Sequence, residues 1–240
     1  MSAPREDDAG DRTLARDRGR GPYVSRGGLK LANALEASGL PVAGKRAFDV
    51  GASTGGFTDC LLRAGAEQVV AIDVGYGQLD WSLRNDARVH VMERVNARAI
   101  TPEMVPFAAD LAVVDVSFIS LAKVLPAVLH CMTPTRDVLA LVKPQFEIGR
   151  GGVGRGGVVR SIEDRRRVLG EVGEAMVGLG EAVIGFYPAG LPGPKGNRET
   201  FLWLADAERA GATRDAASVR RMADAAESAA GEPRSEEVGG

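Results

Sequence analysis

A glycine-rich turn follows the apolar segment Ala47-Phe-Asp-Val50 and opens a helical pattern. The turn reads Gly51-Ala-Ser-Thr-Gly-Gly56, and a turn of this kind leaves the carboxyl end of a strand open to a nucleotide-type ligand. Asp73 closes the next apolar run, about 20 residues further on, where βαβ cofactor sites place a carboxylate that accepts hydrogen bonds from ribose hydroxyls. Together the two features indicate a site for an adenosine-bearing cofactor.

Two further ionisable residues, Asp115 and Lys143, each follow four apolar residues. The carboxyl ends of neighbouring parallel strands face one ligand crevice, so both side chains are expected to point into the same pocket. Structural roles remain open for both. Asp115 could cap the next helix, although Ser120 is better placed for that role, and Lys143 could be a solvated residue at a sheet edge.

The glycine turn also satisfies the G-x-S-x-G pattern of a serine hydrolase, with Ser53 as the nucleophile. That triad needs a histidine late in the chain, after the acid, and the last histidine is His130. A dinucleotide redox site fits poorly as well, because Ser53 stands where that fingerprint has its middle glycine. Both alternatives are therefore disfavoured.

A stretch rich in glycine and arginine runs from Gly149 to Arg160. Arg150, Arg155 and Arg160 stand on a backbone with few side chains that could pack, which suits contacts to RNA phosphates. The alternative is a plain flexible loop. The formal net charge of −2 gives no general attraction to nucleic acid, so RNA contacts are expected at a local basic surface, to which residues 165–167 would add.

Cysteine and histidine usage argues against a metal site. Cys60 and Cys131 stand outside any C-x-x-C pattern, and His90 and His130 lack zinc spacing, so no metal is predicted and the thiols are expected to be reduced. The most apolar stretch, 111–132, is interrupted by charged residues, and the first residues lack the apolar core of a signal peptide. We therefore expect a cytoplasmic protein without a membrane partner.

Composition divides the chain into three parts. Residues 1–21 mix arginine with acidic residues and are predicted to form a disordered charged tail. The domain that carries the motifs spans residues 22–205. Residues 206–240 are rich in alanine and glutamate and are predicted to be a largely disordered extension, in which 214–230 could form a surface helix.

Between the two ends, short apolar runs alternate with helical patterns, which is typical of an α/β fold with a wound, mostly parallel sheet. Strands are predicted near 46–50, 69–73, 88–92, 111–115, 138–142, 182–187 and 200–204, and a helix over 163–178. The last two strands are separated only by a turn, so they are expected to pair as an antiparallel hairpin at the sheet edge.

Several motifs in this order resemble the TlyA family, often labelled hemolysin A, within the FtsJ-like ribose 2'-O-methyltransferases. The resemblance extends from about Tyr23 to Leu204. It rests on Val24-Ser-Arg-Gly-Gly-Leu-Lys30-Leu, Asp49-Val-Gly-Ala-Ser-Thr-Gly-Gly-Phe-Thr58, Asp73-Val-Gly-Tyr-Gly-Gln-Leu79, Asp115-Val-Ser-Phe-Ile-Ser120, Leu141-Val-Lys-Pro-Gln-Phe-Glu147 and Gly196-Asn-Arg-Glu-Thr-Phe-Leu-Trp203.

The resemblance implies a class I, Rossmann-like methyltransferase fold with seven strands, of which the last is antiparallel. It also implies transfer of a methyl group from S-adenosyl-L-methionine to a ribose 2'-hydroxyl of ribosomal RNA, at a cytidine. The implied catalytic tetrad is Lys30, Asp115, Lys143 and Glu199. The implied cofactor residues are Asp49, Gly51, Ser53, Gly55, Phe57, Asp73, Glu93 and Asn96.

A ribose 2'-hydroxyl is a weak nucleophile, so the reaction needs in-line positioning and a group that takes up the proton. Lys143 is the expected base or hydroxyl-orienting group, since the positive charge of Lys30 and partial burial would favour its neutral amine. Asp115 and Glu199 would stabilise the ammonium forms instead, and their expected role is to hold the two lysines.

Members of this family normally begin with a small S4-type RNA-binding domain, whereas a short charged segment precedes Tyr23 here. The expected partners are ribosomal RNA or ribosomal subunits, with an RNA-binding partner in place of the S4 domain. Three alternatives stay open: a methyltransferase acting on a different RNA, an RNA-binding protein without turnover, and a membrane-damaging hemolysin. No strongly amphipathic cationic helix supports the last alternative, and the complete tetrad argues against the second.

Overall fold

The computed structural model describes residues 21–149, 152–154 and 156–229 of the chain. Its centre is a seven-stranded sheet formed by the predicted apolar segments. The strands are β1 (Arg46–Val50), β2 (Gln68–Ile72), β3 (Val89–Met92), β4 (Ala109–Val114), β5 (Met132–Val142), β6 (Ala182–Pro188) and β7 (Thr200–Ala205). Each predicted strand is therefore found, although β5 begins six residues before its predicted start.

Helices connect the strands and cover both faces of the sheet. They are α1 (Arg26–Ser38), α2 (Gly56–Arg63), α3 (Trp81–Arg84), α4 (Leu125–His130), α5 (Pro144–Glu147), α6 (Ile162–Gly178) and α7 (Ala216–Ala229). Helix α6 begins where predicted because Ser161 caps it, with its hydroxyl accepting a hydrogen bond from the Asp164 amide at 3.0 Å. None of the helices in the described ranges has both the length and the apolar character needed to cross a membrane.

The strand order is β3-β2-β1-β4-β5-β7-β6, with the first five strands parallel. Strand β7 is antiparallel to both β5 and β6. The predicted mostly parallel sheet with an antiparallel last strand is confirmed. The last two strands do pair, as predicted. However, β7 lies between β5 and β6, so only β6 is an edge strand on this side of the sheet. Phe201, Leu202 and Leu204 are fully buried, which suits an interior strand with both faces covered.

Alternate residues of each central strand belong to two separate cores. In β4, Ala112 and Val114 face the core beneath α4 and α6, whereas Leu111 and Val113 face the core beneath α1 and α2. A strand buried on both faces has no polar face, which is why these segments appear in the sequence as continuous apolar runs. The two cores hold the carboxyl ends of β1, β4 and β5 in a fixed row.

The region after residue 205 differs from the expected disordered extension over part of its length. Helix α7 packs against α6, and its Val219 and Ala223 are fully buried. The spacing of these residues, four apart, makes one apolar face, and a Cβ placed on Gly173 would lie 2.6 Å from Val219 Cγ1. The small residues on both helices thus allow a close approach. Of the predicted N-terminal tail, residues 1–20 lie outside the described residues, as do 230–240.

Candidate active site

Asp115 and Lys143 meet at the carboxyl ends of β4 and β5. The Lys143 ammonium forms an ion pair with Asp115 Oδ1 and donates a hydrogen bond to Ser117 Oγ at 2.9 Å. The structure therefore brings the two side chains into one pocket, as the sequence pattern indicated. Ser117 lies only two residues after Asp115 and was not singled out from the sequence.

Lys30 and Glu199 form a second ion pair beside the first. Lys30 Nζ donates to Glu199 Oε2 at 2.5 Å, and the two residues are 8% and 3% exposed. The other carboxylate oxygen, Glu199 Oε1, is buried and has no hydrogen-bond partner among the described residues. A Cβ on Gly193 would collide with this oxygen, so a glycine is required in the turn before β7.

All four residues line a single cleft of about 410 Å³. Gly51, Ser53 and Phe57 line the same cleft. A second cavity of about 430 Å³ shares Gly51, Ser53 and Asp115 with it and continues past Asp73 and Asn96. The two cavities therefore form adjoining compartments on either side of the glycine turn.

The glycine turn is fixed by its own backbone and by Asp73. Gly51 has a φ of 90°, and a Cβ there would collide with the carbonyl oxygen of Asp115. The Asp73 carboxylate accepts hydrogen bonds from the amides of Ser53, at 2.8 Å, and Gly75, at 2.6 Å. Ser53 itself has a φ of 49°, a conformation that costs energy for a residue with a side chain. Asp73 thus holds a strained turn open toward the cleft.

Asp49 lies directly behind the turn and is fully buried. Its Oδ2 accepts a hydrogen bond from Thr58 Oγ1 at 2.6 Å, while Oδ1 has no hydrogen-bond partner in the described part of the chain. Burial raises the pKa of Asp49 to about 7, and the negative charge of Asp115 acts in the same direction. An unpaired oxygen at this position is suited to a cationic or hydrogen-bonding ligand group.

The remaining predicted cofactor residues occupy different surroundings. Gly55 has a φ of 95° and precedes α2, and it packs against leucine side chains. The side-chain oxygen of Asn96, in the second cavity, accepts a hydrogen bond from the Arg98 amide at 3.1 Å. Glu93 forms an ion pair with Arg84 and accepts a hydrogen bond from the Gly77 amide at 2.9 Å. Glu93 therefore braces a neighbouring loop.

An aromatic pair, one exposed ring and one half-buried ring, lies next to the ion pairs and was missed from the sequence. Phe118 is 90% exposed and has a φ of 64°. Its ring lies 4.9 Å from that of Phe146, centroid to centroid. The two rings line a third cavity of about 400 Å³ that also reaches Lys143 and Glu199. The only sequence signal was an aromatic residue three positions after Asp115.

Of the three arginines predicted to bind RNA, Arg160 is exposed, and Arg150 and Arg155 lie outside the described residues. The expectation that residues 165–167 add to a basic surface is wrong for Arg165, whereas Arg167 is exposed. Arg165 is 6% exposed and its guanidinium pairs with Glu227 at 2.8 Å. Helical spacing turned Arg165 inward toward α7, where its charge is neutralised.

The strand order and the pocket at the ends of β1 and β4 define a class I methyltransferase fold. The solved N-methyltransferase NodS from Bradyrhizobium japonicum superposes with a TM-score of 0.51 at 13% identity, over 82% of this chain and 99% of that chain. At this level of identity the similarity shows the shared fold.

The particular family is shown by closer comparisons. The description of FtsJ-like methyltransferases matches residues 23–205, so the chain belongs to the FtsJ-like methyltransferase family. The 16S/23S rRNA (cytidine-2'-O)-methyltransferase TlyA of Mycobacterium tuberculosis is 56% identical over 182 residues, covering 76% of this chain and 68% of the relative. A solved Streptococcus thermophilus protein that carries the name hemolysin has 39% identity and a TM-score of 0.79, over 87% of this chain and 76% of that chain. The predicted resemblance to TlyA is confirmed.

Proposed function

We propose that this protein transfers a methyl group from S-adenosyl-L-methionine to a ribose 2'-hydroxyl of a cytidine in ribosomal RNA. The observation that supports this most is the meeting of two lysine–carboxylate pairs in one cleft beside the glycine turn. The relative from M. tuberculosis bears the name of an rRNA (cytidine-2'-O)-methyltransferase. A ribosomal RNA substrate would place the protein in the cytoplasm.

The residues around the turn fit the proposed cofactor, which supplies an electrophilic methyl group on a sulfonium. Asp73 would accept hydrogen bonds from the adenosine ribose, because its carboxylate lines the second cavity. Gly51 and Ser53 line both cavities, so they would hold the region between the adenosine and the methionine end. The unpaired Asp49 Oδ1 behind the turn would favour the methionine ammonium.

Lys143 is the proposed residue that orients the ribose hydroxyl. Once its ammonium has released a proton to solvent, its neutral amine would receive the hydroxyl proton as the carbon–oxygen bond forms and the methyl–sulfonium bond breaks. Asp115 and Ser117 restrict its amine to one position, through the ion pair and the hydrogen bond described above. Positioning of this kind supplies a large part of the rate when a reactant already carries a good leaving group. Lys30, held by Glu199, adds positive charge where the hydroxyl oxygen becomes more negative.

The third cavity supports a nucleotide substrate. Phe118 and Phe146 offer ring faces beside Lys143, and base stacking on aromatic side chains is a common way to hold an unpaired nucleotide. An exposed phenylalanine with a left-handed backbone is costly, so its position next to the reactive groups favours a role in binding the target base.

The proposal is tested by transfer of labelled methyl from S-adenosyl-L-methionine to free ribosomal RNA and to isolated ribosomal subunits. Wild-type protein should label one of these substrates, and Lys143→Ala should lower the rate by a factor of about 100 or more while cofactor affinity stays within about threefold. Lys123→Ala, which removes an exposed lysine, is the matched control and should retain wild-type rates.

Each substrate in this assay addresses a different part of the proposal. Labelling of subunits but not free RNA would identify the assembled subunit as the substrate. Labelling that appears only after an RNA-binding protein is added would show that a further RNA-binding component recruits the substrate. Normal turnover by Lys143→Ala would remove Lys143 from the mechanism.

A further inference from the structure

The backbone of residues 157–160 is held by the side chain of Asn197. The Asn197 amide nitrogen donates to the Gly157 carbonyl at 2.8 Å, and its oxygen accepts from the Val159 amide at 3.0 Å. Asn197 is 2% exposed; its hydrogen bond with the Val159 amide is buried and the one with the Gly157 carbonyl is partly buried. The side-chain amide thus hydrogen-bonds to the backbone of this short segment through both its nitrogen and its oxygen, as a neighbouring strand would.

The same segment is held from its other side by Arg165. Its guanidinium donates to the Arg160 carbonyl at 2.8 Å and to the Val159 carbonyl at 3.4 Å. Glu227, which is 1% exposed, fixes the guanidinium through the buried ion pair. Helix α7 therefore braces the segment through Arg165, although α7 itself lies beyond the matched family region.

The held segment borders the third cavity through Gly157. Gly157 and Asn197 line this cavity together with Lys143 and Phe118. Asn197 lies two residues before Glu199, so it joins the turn that carries the second ion pair to the segment that ends in the exposed Arg160. Asn197 thus holds the segment beside a cavity that Lys143 also lines.

We propose that Asn197 is a positioning residue that fixes residues 157–160 as the wall against which the RNA substrate is placed. The inference rests on the proposed function, because it takes RNA to be the substrate that these residues contact. Arg160 projects from the fixed segment and contacts a phosphate, and the cavity behind it receives the nucleotide. Loss of Asn197 releases the wall, which weakens RNA binding and leaves the cofactor site intact.

Limited trypsin digestion, done without RNA, measures how readily residues 157–160 open to a protease. The peptide bond after Arg160 is a trypsin site, and its carbonyl is the group that Arg165 holds. In Asn197→Ala the segment opens more easily, so cleavage between Arg160 and Ser161, identified by mass spectrometry, should be about tenfold faster. Asn33→Ala is the matched control, since Asn33 also donates to a backbone carbonyl, that of Ala189, and its cleavage rate should equal that of wild type.

Kinetics with RNA then separates positioning from general damage. In Asn197→Ala the KM for ribosomal RNA should rise about tenfold while the Kd for S-adenosyl-L-methionine changes by less than about twofold. Asn197→Asp retains the acceptor for the Val159 amide but sets a carboxylate oxygen against the Gly157 carbonyl in place of the donor. It should therefore also speed cleavage at Arg160, and it serves as the test if the alanine variant does not fold. Unchanged cleavage at Arg160, or a cofactor Kd that rises in step with KM, would overturn the inference. If wild-type protein does not methylate ribosomal RNA, the proposed substrate fails, while the cleavage rates still decide the role of Asn197.

Discussion

Asp49→Asn should change how the stability of this protein depends on pH. Asp49 is fully buried and its pKa is raised from 3.8 to about 7. The native state therefore binds a proton on Asp49 that the unfolded state releases at pH values between these two limits. For a carboxyl with a raised pKa, the free energy of unfolding is highest below about pH 4 and falls as the pH rises through 7.

The size of this effect follows from the shift. A difference of about 3 pKa units, at about 1.4 kcal/mol per unit, corresponds to about 4 kcal/mol between acid and alkaline limits. Asparagine does not titrate, and its side-chain oxygen can still accept the hydrogen bond from Thr58. The variant should therefore lose the Asp49 contribution to the pH dependence and keep the contributions of all other groups.

Urea unfolding of both proteins at several pH values from 4 to 8 measures the difference. Subtracting the variant profile from the wild-type profile cancels the other titrating groups, and the remainder should fall by about 4 kcal/mol across the range. The absolute stability of the variant does not matter for this comparison, because only the slope carries the prediction. Parallel profiles would mean that Asp49 is charged in the folded protein at all these pH values, and the reasoning from burial would fail.

Three further predictions concern Lys30, Phe118 and Arg160. Lys30→Met should lower the free energy of unfolding by about 3 kcal/mol, measured in urea, because Glu199 would remain buried without its cation; an unchanged midpoint would contradict this. Phe118→Ala should weaken RNA binding by about 1–3 kcal/mol at constant melting temperature, since the ring is exposed; equal affinity in a filter-binding assay would exclude stacking. Arg160→Ala should reduce the slope of log K against log salt by about 1, and an identical slope would show that Arg160 touches no phosphate.

The sheet was predictable because β1, β4 and β5 are buried on both faces, and such strands appear as uninterrupted apolar runs. Asp115 and Lys143 could be placed together by the same argument, since each follows one of these runs. Lys30 and Glu199 could not be paired from patterns, because they are separated by 169 residues. Only the family resemblance brought Lys30 and Glu199 into the predicted tetrad.

Other features depend on contacts that leave no local signature. Arg165 was predicted to be part of a basic surface because three arginines stand in a row. Its burial is explained by Glu227 on α7, which neutralises its charge, and by the backbone carbonyls of Val159 and Arg160. The interior position of β7 was missed for a similar reason. Two apolar strands joined by a turn predict a hairpin. Which of the two strands pairs with β5 is decided by packing on both faces of the sheet.

The antiparallel direction of β7 bears on the stage of synthesis at which all four tetrad residues are present. If β7 were parallel to β5, it would begin beside the amino ends of the parallel strands, about 20 Å from their carboxyl ends. Glu199 could then not reach Lys30. Because β7 is antiparallel, Glu199 lies beside the carboxyl ends of β4 and β5, and β7 itself lies between β5 and β6. A chain emerging from the ribosome thus has the cofactor turn, Asp115 and Lys143 long before Glu199 arrives. Glu199 directly precedes β7, the last strand to be synthesised, so a chain that ends before it contains the residues of the cofactor turn but cannot contain a complete tetrad.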